Sequence, residues 1–391
     1  MLIGAPRTRW AVLALAGVAA FFVSFDGYVM VLALPAIASD FHASVPAIAD
    51  LGSIFGLGAI VGLPIAMLAD QRGRRRLLPL AVAGFSLANL ASAAAPGLWW
   101  LAGIRAGAVT FETVAASVAT ALVVEEVEAR WRGLALAGLA VAAGAGVGLT
   151  TVLYPLVAPH WRWLYLLGAS GLVAALALAR WLPESQAWAV ARHERIPIAV
   201  LLRPPWRRRL LLLASSAALG SMLYEPAGLL VALFGSRQLG LGPPAISAVV
   251  VASGLASVPA FLVGGRLSDQ WGRRRLAAGL TLMTALFAAG TFAGIAALYW
   301  VGNVLWSVLA SASVPVLGAW AGELFPTSAR ATSEAATALA ATVGGVAGLQ
   351  LVALAQPRIG LGPSVVLAGG AAIAGAALLL LLPETRGEPL P

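Results

Sequence analysis

The sequence predicts an all-α membrane protein: twelve transmembrane helices in two pseudo-symmetric six-helix bundles. Three observations predict it. The 391 residues are 60% hydrophobic and only 10% charged, with a mean hydropathy of +0.91, a balance foreign to soluble domains. The apolar residues fall into twelve stretches, each long enough to cross the roughly 30 Å of bilayer hydrocarbon. A charged block, Asp70-Gln71-Arg72-Gly73-Arg74-Arg75-Arg76-Leu77, returns 199 positions later as Asp269-Gln270-Trp271-Gly272-Arg273-Arg274-Arg275-Leu276. A repeat of half a chain marks a duplicated bundle, not a stack of units of about 20–50 residues.

In order, the spans read as 10–38, 45–69, 77–96, 98–124, 134–158, 161–182, 210–235, 243–267, 276–296, 298–324, 334–356 and 364–382. The first is too long for a secretory signal and holds Asp26, so it is read as a span. Turn residues such as Ala95-Pro96-Gly97 and Leu241-Gly242-Pro243-Pro244 separate neighbours. Gly138, Gly144, Gly146 and Gly148 give the fifth span a surface that another helix can approach closely. Trp10, Trp99, Trp100, Trp161, Trp163 and Trp300 stand at span ends, where indole rings favour the membrane interface. The one long loop, 183–209, is cationic and holds Pro197, Pro204 and Pro205. It divides the chain into an N-terminal bundle, 1–182, a cytoplasmic linker, 183–209, and a C-terminal bundle, 210–391. Other landmarks keep the step of the repeat: Pro183-Glu184-Ser185 returns as Pro383-Glu384-Thr385, and Asp26 corresponds to Glu225.

The formal charge of +9 and the pI of about 11.2 invite a nucleic-acid reading. The placement of the charge opposes it. All 25 basic residues are Arg, and with the N-terminus inside, 21 fall on the cytoplasmic side, three outside and one, Arg105, within a span. Arg-rich short loops resist translocation, so this asymmetry orients the chain with both termini cytoplasmic, its basic loops facing anionic lipid. The expected surroundings are a lipid bilayer, with no nucleic acid. There is no Cys, and His42, His160 and His193 are scattered through loops, so no metal site or other cofactor is expected. No phosphate-cradling G-x-x-x-x-G-K-[ST] loop occurs. Neither does a nucleophile–base pair, so the chain does not read as an enzyme. Nothing requires more than a monomer.

The repeated loop motif resembles that of the major facilitator superfamily, Gly-x-x-x-Asp-Arg-x-Gly-Arg-Arg. It appears as Ala66…Asp70-Gln71-Arg72-Gly73-Arg74-Arg75 and as Gly265…Asp269-Gln270-Trp271-Gly272-Arg273-Arg274. The resemblance covers essentially the whole chain and implies a secondary transporter with alternating access. It implies a cytoplasmic gate formed by Asp70, Gly73, Arg74, Arg75, Glu126 and Arg132 in the first half and by Asp269, Gly272, Arg273, Arg274, Glu323 and Arg330 in the second. Asp70 with Arg132, and Asp269 with Arg330, are the expected pairs. The alternative is that these arginines only anchor loops to headgroups. Phe25-Asp26-Gly27-Tyr28 and the run Glu323-Leu324-Phe325-Pro326-Thr327-Ser328-Ala329-Arg330 are similar to the metabolite–proton symporters, the aromatic-acid and sugar porters among them. Leu34-Pro35-Ala36-Ile37 after an intramembrane Asp also occurs in drug–proton antiporters.

Four charges lie inside spans: Asp26, Arg105, Glu112 and Glu225. Each costs roughly 2.5–3.5 kcal/mol near the bilayer centre and needs a partner or a cavity. The resemblance places the first, fourth and seventh spans around a central cavity. Arg105 and Glu112, seven apart, share a helix face. Three carboxylates against one guanidinium leave the core at −2 unless a proton is bound, so Asp26, Glu225 and Glu112 are the candidates for proton coupling. Arg105, Tyr28, Phe111, Tyr154, Tyr224 and Trp306 are the candidates for substrate contact. The expected partners are protons and a small-molecule substrate. The leading expectation is a symporter for an organic or aromatic acid, and the rival is an exporter exchanging drugs or organic cations for protons. A sensor or lipid scramblase on the same framework is a third, remoter class.

Overall fold

The computed structural model describes residues 6–67, 73–127, 131–158, 160–183, 201, 203–326 and 329–386. Among them the chain forms thirteen helices, most of them joined by short turns. These are α1 (Pro6–Asp40), α2 (Val45–Met67), α3 (Arg74–Ala93), α4 (Leu98–Glu126), α5 (Arg132–Val157), α6 (Arg162–Gly168), α7 (Gly171–Trp181), α8 (Trp206–Leu239), α9 (Pro243–Trp271), α10 (Arg273–Thr291), α11 (Ala296–Leu324), α12 (Arg330–Ile359) and α13 (Leu361–Leu379). Helices are the natural answer to such a composition, because a span in hydrocarbon must satisfy its backbone within itself. Eleven helical stretches are long and apolar enough to cross a membrane, with α6 and α7 counted as one. The remaining span, α10, has 19 residues and opens on Arg273, Arg274 and Arg275, which lowers its hydropathy.

The sixth span is the departure from the expected pattern. It breaks at Ala169 and Ser170 into α6 and α7. The N–H groups of Ser170, Leu172 and Val173 bond three residues back instead of four, and Ser170 Oγ donates to the Leu167 carbonyl at 2.6 Å. Gly168 and Gly171 flank the break. Two residues with weak helix preference beside a serine that competes for a carbonyl account for a tightened turn there.

The chain forms two compact units. The first holds residues up to Ala43 and Ile54–His193; the second holds Ser44–Ser53 and Glu194–Pro391. In the first, α1 packs on α5 and α4, and α3 packs on α4, α6 and α7. In the second, α8 packs on α12, α9 and α10 pack on α11, and α13 packs on α8 and α10. The pairings α1–α5 and α3–α4 therefore recur as α8–α12 and α10–α11. The recurrence reaches single residues: a side chain at Gly146 would collide with the Phe21 carbonyl of α1, and one at Gly344 with the Ala218 carbonyl of α8. Each unit has its own apolar core, around Leu78, Phe85, Val118 and Leu122 in the first and around Val316, Trp320, Leu324 and Phe325 in the second.

Candidate functional site

In the first unit, α1, α3, α4 and α6 bring four polar side chains and one ring to a single buried point. Arg105, 1% exposed, is its centre. One terminal nitrogen donates to Asp26 Oδ1 at 2.9 Å and to Asn89 Oδ1 at 3.2 Å; the other donates to Glu112 Oε1 at 2.9 Å. The Tyr165 ring lies under the guanidinium, 5.4 Å from carbon to centroid, a favourable placement for a cation. Arg105 and Glu112 meet because seven residues return nearly to the same face of α4. Asp26 is buried at 1%. Two carboxylates thus share one guanidinium, and the cluster is at −1 until a proton binds. Removing one partner from such a buried pair typically costs about 3–5 kcal/mol, because a charge is left uncompensated. Asp26 Oδ2, Asn89 Nδ2 and Arg105 Nε have no hydrogen-bond partner. The sequence singled out Asp26, Arg105 and Glu112. It gave no sign of Asn89 or Tyr165, since a neutral amide and a tyrosine are unremarkable inside a span.

The other first-unit candidates stand elsewhere. Tyr28 is half-buried on α1. Tyr154 is buried in α5 at 3%. Phe111 is 40% exposed, and its ring fills the place a side chain at Gly84 would take, so it packs α4 against α3.

The second unit holds a cavity of about 740 Å³. Tyr224 and Trp306 line it, with centroids 6.4 Å apart, and Tyr224 Oη donates to the Thr281 carbonyl at 3.0 Å. Ser216, Ser221, Thr284 and Ser313 add hydroxyls to a mostly aliphatic wall, and Arg330 and Glu334 enter from the first turns of α12. Trp306 Nε1 and Arg330 Nη2 are buried donors without a partner. Arg330 was a gate candidate on sequence grounds; its place in a cavity wall was not legible there. Glu225 is exposed next to Pro226, with its Cβ and Cγ over Gly345 of α12.

The repeated motifs occupy equivalent turns. Gly73 (φ 90°, ψ 142°) precedes α3, and Gly272 (φ 88°, ψ 157°) joins α9 to α10. Both have a backbone that glycine alone adopts without strain. Arg74 pairs with Glu125, one position before the Glu126 marked from the sequence. Arg273 pairs with Glu323 at 3.1 Å and bonds Ser268 Oγ at 2.7 Å. Asp70 lies outside the described residues, as do the side chains of Arg132 and Asp269. Glu384 was not named as a gate residue, yet it closes the second turn. Its carboxylate accepts the backbone N–H groups of Arg273 and Arg274 at 2.8 and 3.0 Å, capping the start of α10. Thr385 Oγ1 donates to Glu323 at 2.5 Å, and Trp320 Nε1 donates to the Pro383 carbonyl at 3.2 Å. Partial burial raises the affinity of Glu384 for a proton, but the N–H groups of Arg273, Arg274, Arg386 and Thr385 outweigh it and hold the carboxyl below the usual carboxylate range.

At the end of the first unit away from its motif, Trp161 is buried and its Nε1 donates to Asp40 Oδ2 at 3.1 Å, while Trp99, Trp100 and Trp163 are exposed. Arg162 binds the same Asp40 oxygen and stacks 4.3 Å over the Trp161 ring.

Residues 16–236 and 210–391 both match the Major Facilitator Superfamily. The chain belongs to that superfamily. It is a multi-pass membrane transporter, not an enzyme. Over 189 residues it is 33% identical to the gallate transporter of Pseudomonas putida, a match covering 47% of this chain and 42% of that protein. It is 27% identical to the inner membrane transport protein YdhP of Escherichia coli over 98% of both chains. It is 30% identical to the multidrug efflux pump LfrA of Mycolicibacterium smegmatis over 46% of this chain and 37% of that one. Among solved structures, a bacterial homologue of the human lysosomal transporter Spinster in an inward-facing, unoccupied conformation aligns with a TM-score of 0.82 at 16% identity, covering 97% of each chain.

Proposed function

We propose that this chain is a proton-coupled transporter that moves a small organic or aromatic acid together with protons, by alternating access, across a bacterial cytoplasmic membrane with both termini inside. The observation that supports it best is the arrangement of Asp26 and Glu112 on Arg105. A low-dielectric site with two carboxylates and one guanidinium changes from −1 to neutral on taking one proton, and a carrier needs a group of this kind to couple its cycle to a proton gradient. Arg105, held by both carboxylates, sets the charge balance and serves the substrate indirectly. Glu225, related to Asp26 by the repeat, is the second candidate carrier.

The substrate reading rests on the second-unit cavity. Tyr224 and Trp306 offer faces to a planar ring, the indole N–H and the hydroxyls offer bonds to its oxygens, and Arg330 supplies a positive charge. A small ring acid fits that chemistry, and the gallate transporter among the relatives has a name consistent with it. The bundles are proposed as 1–182 and 210–391 joined by 183–209. The Arg74–Glu125 and Arg273–Glu323 pairs are proposed as the parts of the cytoplasmic gate that hold in one state of the cycle.

The test is uptake into proteoliposomes. Asp26→Asn and Glu112→Gln lose acid accumulation driven by a pH gradient while keeping substrate exchange. Accumulation by both variants at the wild-type level would remove the cluster from proton coupling. The second reading, a cation–proton antiporter, is favoured by the excess negative charge of the first-unit cluster and by the likeness to a multidrug efflux pump. Counterflow with benzoate-like acids against lipophilic cations separates the two.

A further inference from the structure

Many buried hydroxyls among the described residues bond a backbone carbonyl of their own helix, and two on α3 do not. Thr151, Thr284, Thr291 and Ser313 each donate to the carbonyl four residues back. Ser86 and Ser92 of α3, both fully buried, bond to nothing. Asn89 stands between them, fully buried, with Nδ2 also unpartnered. At a spacing of three, the three residues share one face of α3, running about 9 Å along the helix axis. Five of the unpartnered buried atoms in the described residues belong to this strip or to the cluster it reaches: Ser86 Oγ, Asn89 Nδ2, Ser92 Oγ, Asp26 Oδ2 and Arg105 Nε. Buried polar groups in native proteins are almost always bonded, so such a concentration asks for a cause.

The facing wall supplies a second, independent observation. The strip lies against the break between α6 and α7. A side chain at Gly168 would come 2.8 Å from Asn89 Nδ2, and one at Gly171 would collide with Ser86 Oγ. The polar groups therefore sit in notches that glycine opens, beside a turn where the backbone has left α-helical geometry. The strip has an outer end as well. Ser92 lies in the last turn of α3, and three residues on, the Ala95 carbonyl accepts a bond from Arg162 at 3.4 Å. Arg162 also lines a surface pocket of about 410 Å³ with Asp40, His160 and Trp161, on the face away from the motif arginines.

We propose that this seam between α3 and the broken α6–α7 span is a water-filled proton route, separate from the substrate cavity, leading from the Asp40–Arg162 pocket past Ser92 and Asn89 to Asp26 and Glu112. Rows of donors and acceptors that lack protein partners are the places where buried water is held, and a chain of such waters passes protons. A proton delivered by hydronium leaves a water behind and converts one carboxylate of the pair to carboxyl. The other carboxylate keeps its bond to Arg105. The charged and titratable groups facing the path are Asp26 from α1, Arg105 and Glu112 from α4, Tyr165 from α6, and Asp40, His160 and Arg162 at the mouth.

This inference rests on the proton-coupled reading, so the test has two arms. The chain has no Cys, and single Ser92→Cys and Ser86→Cys variants report water access without any transport. Ag⁺ added to the protein in nanodiscs is expected to protect both thiols from later maleimide labelling, and to leave Val82→Cys, in the apolar stretch of the same helix, unprotected. In proteoliposomes, the Ser86→Ala/Ser92→Val double variant is expected to slow pH-driven accumulation roughly tenfold while equilibrium substrate exchange keeps its wild-type rate and KM. A Ser86→Cys thiol that Ag⁺ cannot reach overturns the seam. Unchanged accumulation in the double variant overturns its role as a proton route even if Ag⁺ enters. A wild-type protein that exchanges substrate but carries no protons sinks the functional reading and this route with it, while the Ag⁺ arm still states whether the seam is wet.

Discussion

Arg105 and its two carboxylates make opposite demands on folding. Replacing Asp26 by Asn leaves one guanidinium on one carboxylate, a neutral pair that still fills the site. Replacing Arg105 by Met leaves two buried carboxylates facing each other without a counter-charge. Arg105→Met is therefore expected to destabilise the protein by about 3–5 kcal/mol at neutral pH, and Asp26→Asn by much less, as read by thermal unfolding in detergent. Equal losses would mean that the cluster is not the charge-balanced unit described here. The same residues show what a sequence discloses at this scale. Charges in an apolar run are conspicuous because each carries an insertion cost, so Asp26, Arg105, Glu112 and Glu225 stood out. A neutral amide and a phenol cost less than a charge and did not stand out, and only the packing of α3 and α6 on α4 brings Asn89 and Tyr165 to the guanidinium.

The turn between α9 and α10 concentrates several constraints on a few residues. Gly272 has a backbone that side-chain-bearing residues avoid, and its absent side chain leaves room for Glu384, whose Oε2 would lie 2.8 Å from an added Cβ. Gly272→Ala is expected to cost about 1–3 kcal/mol through backbone strain, with loss of the Glu384 cap in addition. Glu384 carries a pH dependence of definite sign. Its carboxyl is held below the usual range in the folded state, so its stabilising contribution is complete above the ordinary Glu value and is lost as pH falls through the lowered one. The melting temperature of the wild type should therefore fall more steeply than that of Glu384→Gln as pH is lowered from 7 into the acid range. Parallel curves would remove Glu384 as a cap that depends on its charge. The spans themselves were readable from hydropathy and the repeat to within a few residues. The break at Ala169 and Ser170 was not, because hydropathy registers apolar content and is blind to a serine taking a backbone carbonyl.

For the whole molecule, the proposed coupling of proton and substrate has a sign, and thermodynamic reciprocity makes it measurable without transport. If an acid and a proton load together, the protonated carrier binds the acid more tightly, so affinity rises as pH falls. If a cation and a proton exchange, they compete for the same negative charge, so affinity rises as pH increases. The charge on Asp26, Glu112 and Arg105 alone leans toward a cation, whereas the second-unit cavity leans toward an acid, so the repeat and the family led to a transporter and not to its cargo. The acid reading proposed above draws on the second-unit cavity, where Trp306 Nε1 and Arg330 Nη2 are donors without a partner, with Glu334 in the same wall. Thermal-shift titrations of the purified protein from pH 5 to 8 with small ring carboxylates are expected to show binding that strengthens toward pH 5. Trp306→Phe is expected to weaken that binding roughly tenfold, the loss that follows when a buried donor to a ligand oxygen is removed. Lipophilic cations that bind more tightly toward pH 8, with carboxylates inert, would reverse the assignment to antiport and leave the indole N–H without a role in recognition.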